Sequence, residues 1–166
     1  MSDVKRIRDE VFPATFSLLE PKLDSRPARA MLLAIGLQES RFEYRKQIGG
    51  PAHGFWQFEE GGGVRGVLRH PATSGTIRAV LAVRGVADAT RAAYDAIVND
   101  DVLACAFARL LLWTLPGALP DEGDCEAGWQ QYVAAWRPGK PHRHTWDAFY
   151  AQAWLLVNEP RKPEDN

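Results

Sequence analysis

One glutamate stands where a purely structural helix has little use for a carboxylate. Glu39 ends a row of residues spaced by four, three and four positions, the spacing of one helix face: Ala28, Leu32, Ile35 and Glu39. A carboxylate there faces the core and lies near the negative end of the helix dipole, and both conditions raise its pKa. Such a glutamic acid keeps a proton near neutral pH and can donate it. The same spacing also allows a carboxylate at the core edge that pairs with Arg41 or Arg45.

A second motif follows the glutamate after a loop. Ser40 and Phe42 come directly after Glu39, and the segment Gly54-Phe55-Trp56-Gln57 closes the loop. Gly54 lies 15 positions after the glutamate, and Gln57 lies 18 positions after it.

The two segments together resemble the lysozyme-like lytic transglycosylases and the goose-type lysozymes. In those families a helix ends in Glu-Ser-x-Phe, and Gly-Leu-Met-Gln follows after a loop. The likeness covers residues 30–60, with departures at Phe55-Trp56 and at Arg41, where the family residue is often small. It implies a lysozyme-like domain that cleaves the β-1,4 bond between N-acetylmuramic acid and N-acetylglucosamine in peptidoglycan, with Glu39 as general acid and no metal or cofactor.

The resemblance also suggests which residues bind the sugar. A later helix in those families carries a Tyr-Asn pair that faces the glutamate, and Tyr132 is the candidate here, although Val133 follows it. Its alternative reading is an aromatic core residue. We expect Ser40, Gln57 and Phe58 to complete the substrate-binding set, because pyranose rings stack on aromatic side chains while their hydroxyl groups need polar partners. One or two of the other aromatic residues could join them: Trp56, Trp129, Trp136 and Trp146.

The reaction type depends on whether a second carboxylate takes part. The resemblance implies that Glu39 first protonates the glycosidic oxygen and then assists attack by the muramyl 6-hydroxyl, which gives a 1,6-anhydro product. A hydrolytic muramidase would need a second carboxylate, for which Glu43, Glu59 and Glu60 are the candidates. A third possibility is a lysozyme-like phage structural or adaptor protein that has lost activity.

Composition narrows the other function classes. A chain of 166 residues with 46% apolar content predicts one domain over residues 1–158, followed by a polar tail at 159–166. The net charge of −1 and the scattered Lys and Arg residues argue against nucleic acid as a partner. Residues 1–12 alternate charged and apolar side chains without a long apolar run, so we expect neither a signal peptide nor a membrane span there. We therefore expect synthesis in the cytoplasm, action on the cell wall after release or as a virion component, no membrane insertion, and a monomer.

Cysteine and histidine spacing gives no sign of a metal site. Cys105 and Cys125 lack a CxxC pattern and are expected to be ordinary thiols rather than a disulfide. His142 and His144 lie in a Pro- and Arg-rich loop without a third ligand and are expected to be solvated.

The elements that must position these residues are mainly α-helical. We expect Pro13 to kink an N-terminal amphipathic stretch or to start a new turn. The loop 43–58 could hold a short hairpin, and Gly61-Gly62-Gly63 should mark a break before residues 64–70. A helix over 76–84 should end at Gly85. Five residues are predicted N-caps, for helices ending near Glu39, Val98, Trp113, Trp136 and Val157: Ser25, Asp88, Asp100, Asp124 and Thr145.

Overall fold

The mainly α-helical class is confirmed. A computed structural model describes residues 3–160, and within them helices alternate with short connections. The loop 43–58 carries two isolated antiparallel bridges, Lys46 with His53 and His53 with Phe58, rather than a hairpin. The α-helices are α1 (Val4–Arg6), α2 (Phe12–Phe16), α3 (Arg26–Ser40), α4 (Arg65–Arg69), α5 (Ser74–Val83), α6 (Thr90–Ala96), α7 (Asp101–Trp113), α8 (Cys125–Trp136) and α9 (Arg143–Asn158).

Pro13 does not break the N-terminal helix. The segment Ile7–Val11 forms a π-helical turn that joins α1 to α2 without a gap, and Pro13 lies in the first turn of α2. The wider turn accommodates a residue that has no N–H and whose ring would crowd the preceding helical turn. Pro13 therefore starts a new helical turn, which is one of its two expected outcomes.

Helix α3 is the centre of the fold. The Ser25 hydroxyl caps it by accepting a hydrogen bond from the Ala28 amide at 3.1 Å, as predicted. All side chains from Ala30 to Leu37 are buried, and the helix packs most extensively against α9. It ends at Arg41, whose backbone is left-handed. Because both faces of α3 are covered, the residues at its C-terminus are held rigidly.

The N-caps of α7 and α8 are confirmed. Asp100 accepts a hydrogen bond from the Leu103 amide at 3.0 Å, and Asp124 accepts one from the Ala127 amide at 3.2 Å. Each carboxylate satisfies an amide that has no partner inside the helix.

The other two predicted caps are wrong. Helix α6 begins after Ala89, and Asp88 pairs instead with Arg78 at 2.9 Å. Helix α9 begins at Arg143, so Thr145 lies inside its first turn and donates a hydrogen bond to the Gln38 side chain at 2.9 Å. In both cases the polar side chain that was expected to cap the helix bonds instead to a side chain of another helix.

The glycine run at 61–63 directly precedes α4. It lies within a π-helical turn, Glu60–Val64, that leads directly into α4, although Gly62 itself is non-helical. A side chain at Gly63 would meet the Phe58 ring at 2.6 Å, so this turn needs glycine to close over Phe58.

One continuous hydrophobic core extends from Val4 to Leu156. The division into a domain over 1–158 and a tail over 159–166 stays a prediction. Of that tail, Glu159 and Pro160 are described, and Glu159 pairs with Arg8, whereas positions 161–166 lie outside the described residues.

Cys105 and Cys125 are both free thiols, as expected. Burial raises the pKa of Cys105 to about 12, which keeps it protonated. Among residues 3–160, no helix is long and apolar enough to cross a membrane. In the same range, no group of three or more His, Cys, Asp or Glu side chains could hold a metal ion.

Candidate active site

Glu39 is positioned by the tightly packed end of α3. The Phe42 ring folds back onto the helix at Gly36, where an added Cβ would lie 2.0 Å from the ring. Only glycine therefore allows the chain after Glu39 to turn this closely. The Ser40 hydroxyl donates to the Phe55 carbonyl at 2.6 Å and so ties the helix end to the following loop.

Among residues 3–160, the Glu39 carboxyl has one hydrogen-bond partner, and that partner is neutral. The Tyr132 hydroxyl donates to Glu39 Oε1 at 2.5 Å across 93 positions of sequence. Burial raises the pKa of Glu39 from 4.5 to about 7, and the hydrogen bond from Tyr132 lowers it in part. Burial is also the main cause of a raised pKa for Tyr132, so its hydroxyl keeps its proton. At neutral pH the carboxyl is thus close to half-protonated.

Helices α8 and α9 hold Tyr132 in place. Its ring stacks on Trp146 with centroids 5.2 Å apart and planes at 10°. The Trp146 indole in turn donates to the Cys125 carbonyl at 2.7 Å. A Cβ at Gly128 would meet Tyr150 at 2.7 Å, so the two helices approach closely only because α8 carries glycine there. The tyrosine hydroxyl therefore has little freedom to leave the glutamate.

The loop that carries Gln57 is fixed to the same frame. Trp56 is fully buried and its indole donates to the Leu32 carbonyl of α3 at 2.8 Å. The Trp136 indole donates to the Trp56 carbonyl at 2.8 Å, which joins the loop to α8. Gln57 has a positive φ of 54°, and its side-chain amide donates to the Gly54 carbonyl at 2.8 Å.

These elements enclose a groove of about 680 Å³. Its walls come from the end of α3, the loop 47–63 and the segment from Tyr132 to His142. Half of the lining residues are polar or charged, and the other half are apolar or glycine and include the Phe58 and Trp136 rings. The residues that line the groove include Glu39, Gln57, Phe58, Glu59, Tyr132, Trp136, Arg137 and Lys140.

The structure brings most of the predicted site residues together. Glu39, Gln57, Phe58 and Tyr132 all line the groove, although the Phe58 ring is only 2% exposed. Ser40 does not line the groove, because its hydroxyl is buried and bonded to backbone. The expectation that Ser40 contacts substrate is therefore corrected to a role in holding the loop.

Among the other aromatic candidates, only Trp136 reaches the groove. Trp56 and Trp146 are fully buried, so neither can contact a sugar. Each indole N–H donates to a backbone carbonyl, which is how a buried tryptophan satisfies its polar atom.

The alternative that pairs Glu39 with Arg45 is wrong. Both terminal guanidinium nitrogens of Arg45 bond the Asp101 carboxylate, at 2.5 and 3.0 Å. Arg41 lies over the Phe149 ring at 5.8 Å. Within residues 3–160, Glu39 forms no ion pair, which leaves burial as the dominant influence on its pKa.

Of the three candidate second carboxylates, only Glu59 lines the groove. Glu60 pairs with Arg91 at 3.2 Å, and Glu43 is exposed outside the groove lining. The groove therefore offers at most one further carboxylate.

Sequence reasoning did not single out the cations or the strained backbone of the groove. Arg137 and Lys140 line it and would have needed the three-dimensional path of the loop after α8 to be found. Non-glycine residues with positive φ, which are uncommon, lie at the groove or beside it in the described chain: Arg41, Phe42, Gln57 and Arg137. Such strain persists only where the surrounding packing enforces it.

Comparison with known proteins adds no relative. No family model matches the chain, and neither curated proteins nor solved structures give a significant match. The likeness to lysozyme-like proteins therefore depends on the residues of the 30–60 segment and on the geometry at Glu39.

Proposed function

We propose that the protein is a peptidoglycan-cleaving enzyme of the lytic transglycosylase type. One observation carries the proposal: a half-buried glutamic acid, hydrogen-bonded by a neutral tyrosine hydroxyl on the wall of an open groove, has a pKa of about 7. A general acid works best when its pKa lies near the operating pH. The motif resemblance of the 30–60 segment supplies the substrate, the β-1,4 bond between N-acetylmuramic acid and N-acetylglucosamine.

Glu39 would move one proton in each half of the reaction. Because Oε1 accepts the Tyr132 hydrogen bond, Oε2 is left to carry the acidic proton. In the first half this proton passes to the glycosidic oxygen as the bond to the muramyl C1 breaks. In the second half the carboxylate removes the proton of the muramyl 6-hydroxyl as O6 bonds to C1. The 1,6-anhydro product forms without water, and Glu39 returns to its protonated state.

The groove supports intramolecular attack better than hydrolysis. A hydrolase needs a second carboxylate to activate water or to attack the sugar. Glu59 is exposed, and it is the only one of the three candidates in the lining. The sugar's own hydroxyl is already held beside C1, so its attack needs no recruited water. Hydrolysis with Glu59 as the partner is the second candidate.

The proposed site of action is the cell wall, reached after release from the cell or as part of a virion. Glycan strands would lie along the groove, with Trp136 against a sugar face and Gln57 near hydroxyl groups. An inactive lysozyme-like adaptor would keep the fold without needing a raised pKa at Glu39, and for that reason we rank it below the enzyme.

The test compares the wild type with two variants on purified peptidoglycan sacculi. Glu39→Gln keeps the side-chain shape but removes the proton, so release of fragments should fall by roughly two to four orders of magnitude. Glu43→Gln, an exposed change outside the groove, is the matched control and should leave the rate unchanged. Circular dichroism would verify that all variants fold.

Mass spectrometry of the products decides the reaction type. The proposal predicts anhydromuramyl ends, one water lighter than hydrolytic products. Reducing muramic acid ends that disappear in Glu59→Gln would establish hydrolysis instead. Full activity in a folded Glu39→Gln protein, or no cleavage by the wild type, would overturn the enzymatic assignment.

A further inference from the structure

A second cavity shares no lining residue with the groove. It has a volume of about 480 Å³ and lies where the C-terminal end of α7, the start of α3 and the loop 115–119 meet. Its polar lining consists of Lys22, Ser25, Arg109 and Gln131, and its apolar walls include Trp113 and three leucines. No carboxylate lines it, so the cavity is positively charged.

Arg109 is the unusual residue of this cavity. Its side chain is 3% exposed, and its Nε donates to the Leu23 carbonyl at 2.7 Å. The Nη1 nitrogen is buried without a hydrogen-bond partner. Buried arginines are normally paired, because an uncompensated buried charge is costly. This guanidinium therefore has unused donor capacity.

The nearest acid cannot serve as its partner. Asp24 is held by both the Nε and an Nη of Arg29, at 2.7 and 2.9 Å. Burial lowers the pKa of Arg109 to about 10, so the guanidinium remains charged at neutral pH. Among the described residues, none forms an ion pair with it. Within residues 3–160 this buried cation thus has no direct ionic partner, and the charge of Asp24 offsets the effect of burial on its pKa only in part.

A second cation and an aromatic ring adjoin Arg109. The Arg109 Cζ lies 5.7 Å from the Trp113 ring centroid, and Lys22 Nζ lies 5.4 Å from the same ring. Lys22 also contacts Glu20 at 3.2 Å, but both side chains are exposed and such a pair is weak. A ligand that enters the cavity would therefore meet two positive charges beside an indole face.

We propose that this cavity binds an organic anion in which one carboxylate is attached to an apolar body. Arg109 and Lys22 take the carboxylate, since a guanidinium matches its geometry and an ammonium adds charge. Trp113, Leu112 and Leu119 pack against the apolar body. The site is separate from the groove, so its occupancy does not depend on the chemistry of Glu39.

The experiment titrates the full chain with three probes at constant ionic strength and measures binding by calorimetry. N-acetyl-leucine carries both the charge and the apolar body, N-acetyl-leucinamide has the body alone, and inorganic phosphate has the charge alone. We expect the acid to bind at least about tenfold more tightly than either of the others, the factor that one charge-assisted hydrogen bond contributes. Equal binding of acid and amide, phosphate binding as tight as the acid, or no binding of the acid would overturn the proposal.

Two variants locate the binding in the cavity. Lys22→Met keeps an aliphatic stem at an exposed position, so the variant should fold normally. Its affinity for N-acetyl-leucine should fall at least about threefold, and its affinity for N-acetyl-leucinamide should not change. Lys5→Met, an exposed lysine outside the cavity, is the matched control and should bind like the wild type. Arg109→Met, if folded, should lose the preference for the acid over the amide. An unchanged preference in Lys22→Met would overturn the proposal even if Arg109→Met does not fold.

Discussion

Two shielded carboxylates of this protein, Asp101 and Glu39, face opposite kinds of partner. Asp101 is 7% exposed and accepts hydrogen bonds from the guanidinium groups of Arg6 and Arg45, at distances of 2.5 to 3.0 Å. Glu39 receives one hydrogen bond, from the neutral hydroxyl of Tyr132. Burial raises the pKa of Glu39, which forms no ion pair among residues 3–160, whereas Asp101 is paired with two arginines. The partner, more than the burial, decides whether a carboxylate fixes the fold or keeps a movable proton.

Replacing Asp101 should have the largest effect on stability. Asp101→Asn removes the charge that holds two arginines, and we expect a loss of roughly 2–4 kcal/mol in the free energy of unfolding. The control is Asp88→Asn, which removes an exposed pair with Arg78 and should cost less than about 1 kcal/mol. Urea denaturation measures both. Equal losses in the two variants would contradict the distinction between the buried and the exposed pair.

Replacing Glu39 should stabilise the folded protein, in contrast to replacing Asp101, and the size of this effect should depend on pH. Burial raises its pKa from 4.5 to about 7, so the folded protein binds this proton more tightly than the unfolded chain does. The wild type therefore loses stability as pH rises through this window, by at most about 3 kcal/mol. Glu39→Gln has no such loss and should be the more stable protein above pH 7, with little difference below pH 4.5.

Urea denaturation of the Glu39→Gln protein and the wild type across this pH range checks the sign. If the difference in free energy of unfolding between the two proteins does not change with pH, the pKa of Glu39 is not raised in the folded protein. A wild type that gains stability relative to the variant as pH rises would mean that a cation faces the carboxylate.

Tyr132→Phe should have the smallest effect and the most specific one. The hydroxyl favours the ionised form of Glu39, so its removal raises the pKa of the carboxyl further. The descending limb of the pH–rate profile for cleavage of sacculi should move to higher pH. The maximal rate should fall roughly tenfold, because the carboxyl loses the group that orients it. A limb that moves to lower pH would contradict the assigned hydrogen bond.

Local signals predicted local structure well. Ser25, Asp100 and Asp124 were identified as N-caps because the capping hydrogen bond joins residues three positions apart. The four-three-four spacing that ends at Glu39 likewise predicted a carboxylate next to the core. These interactions lie within a single helix, so the sequence alone contains them.

The missed features depend on contacts between distant elements. Asp88 and Thr145 carry capping side chains, but a partner elsewhere takes each of them. The sequence could not show that Arg45 forms an ion pair with Asp101, 56 positions away. Because of that pair, Arg45 is not a partner of Glu39, which forms no ion pair among residues 3–160. The pairing of Tyr132 with Glu39 was proposed from a family likeness, and no spacing rule could have placed those side chains together.

The most direct test of the account is an NMR titration of the Glu39 carboxyl carbon in the wild-type protein. Glu39→Gln assigns the resonance, because it removes that one signal from the set of glutamate side chains. The account predicts a midpoint near pH 7, set by burial and only partly offset by Tyr132. A midpoint in the ordinary glutamate range of about 4 to 5 would contradict it, because the carboxyl would then hold no proton to donate at neutral pH.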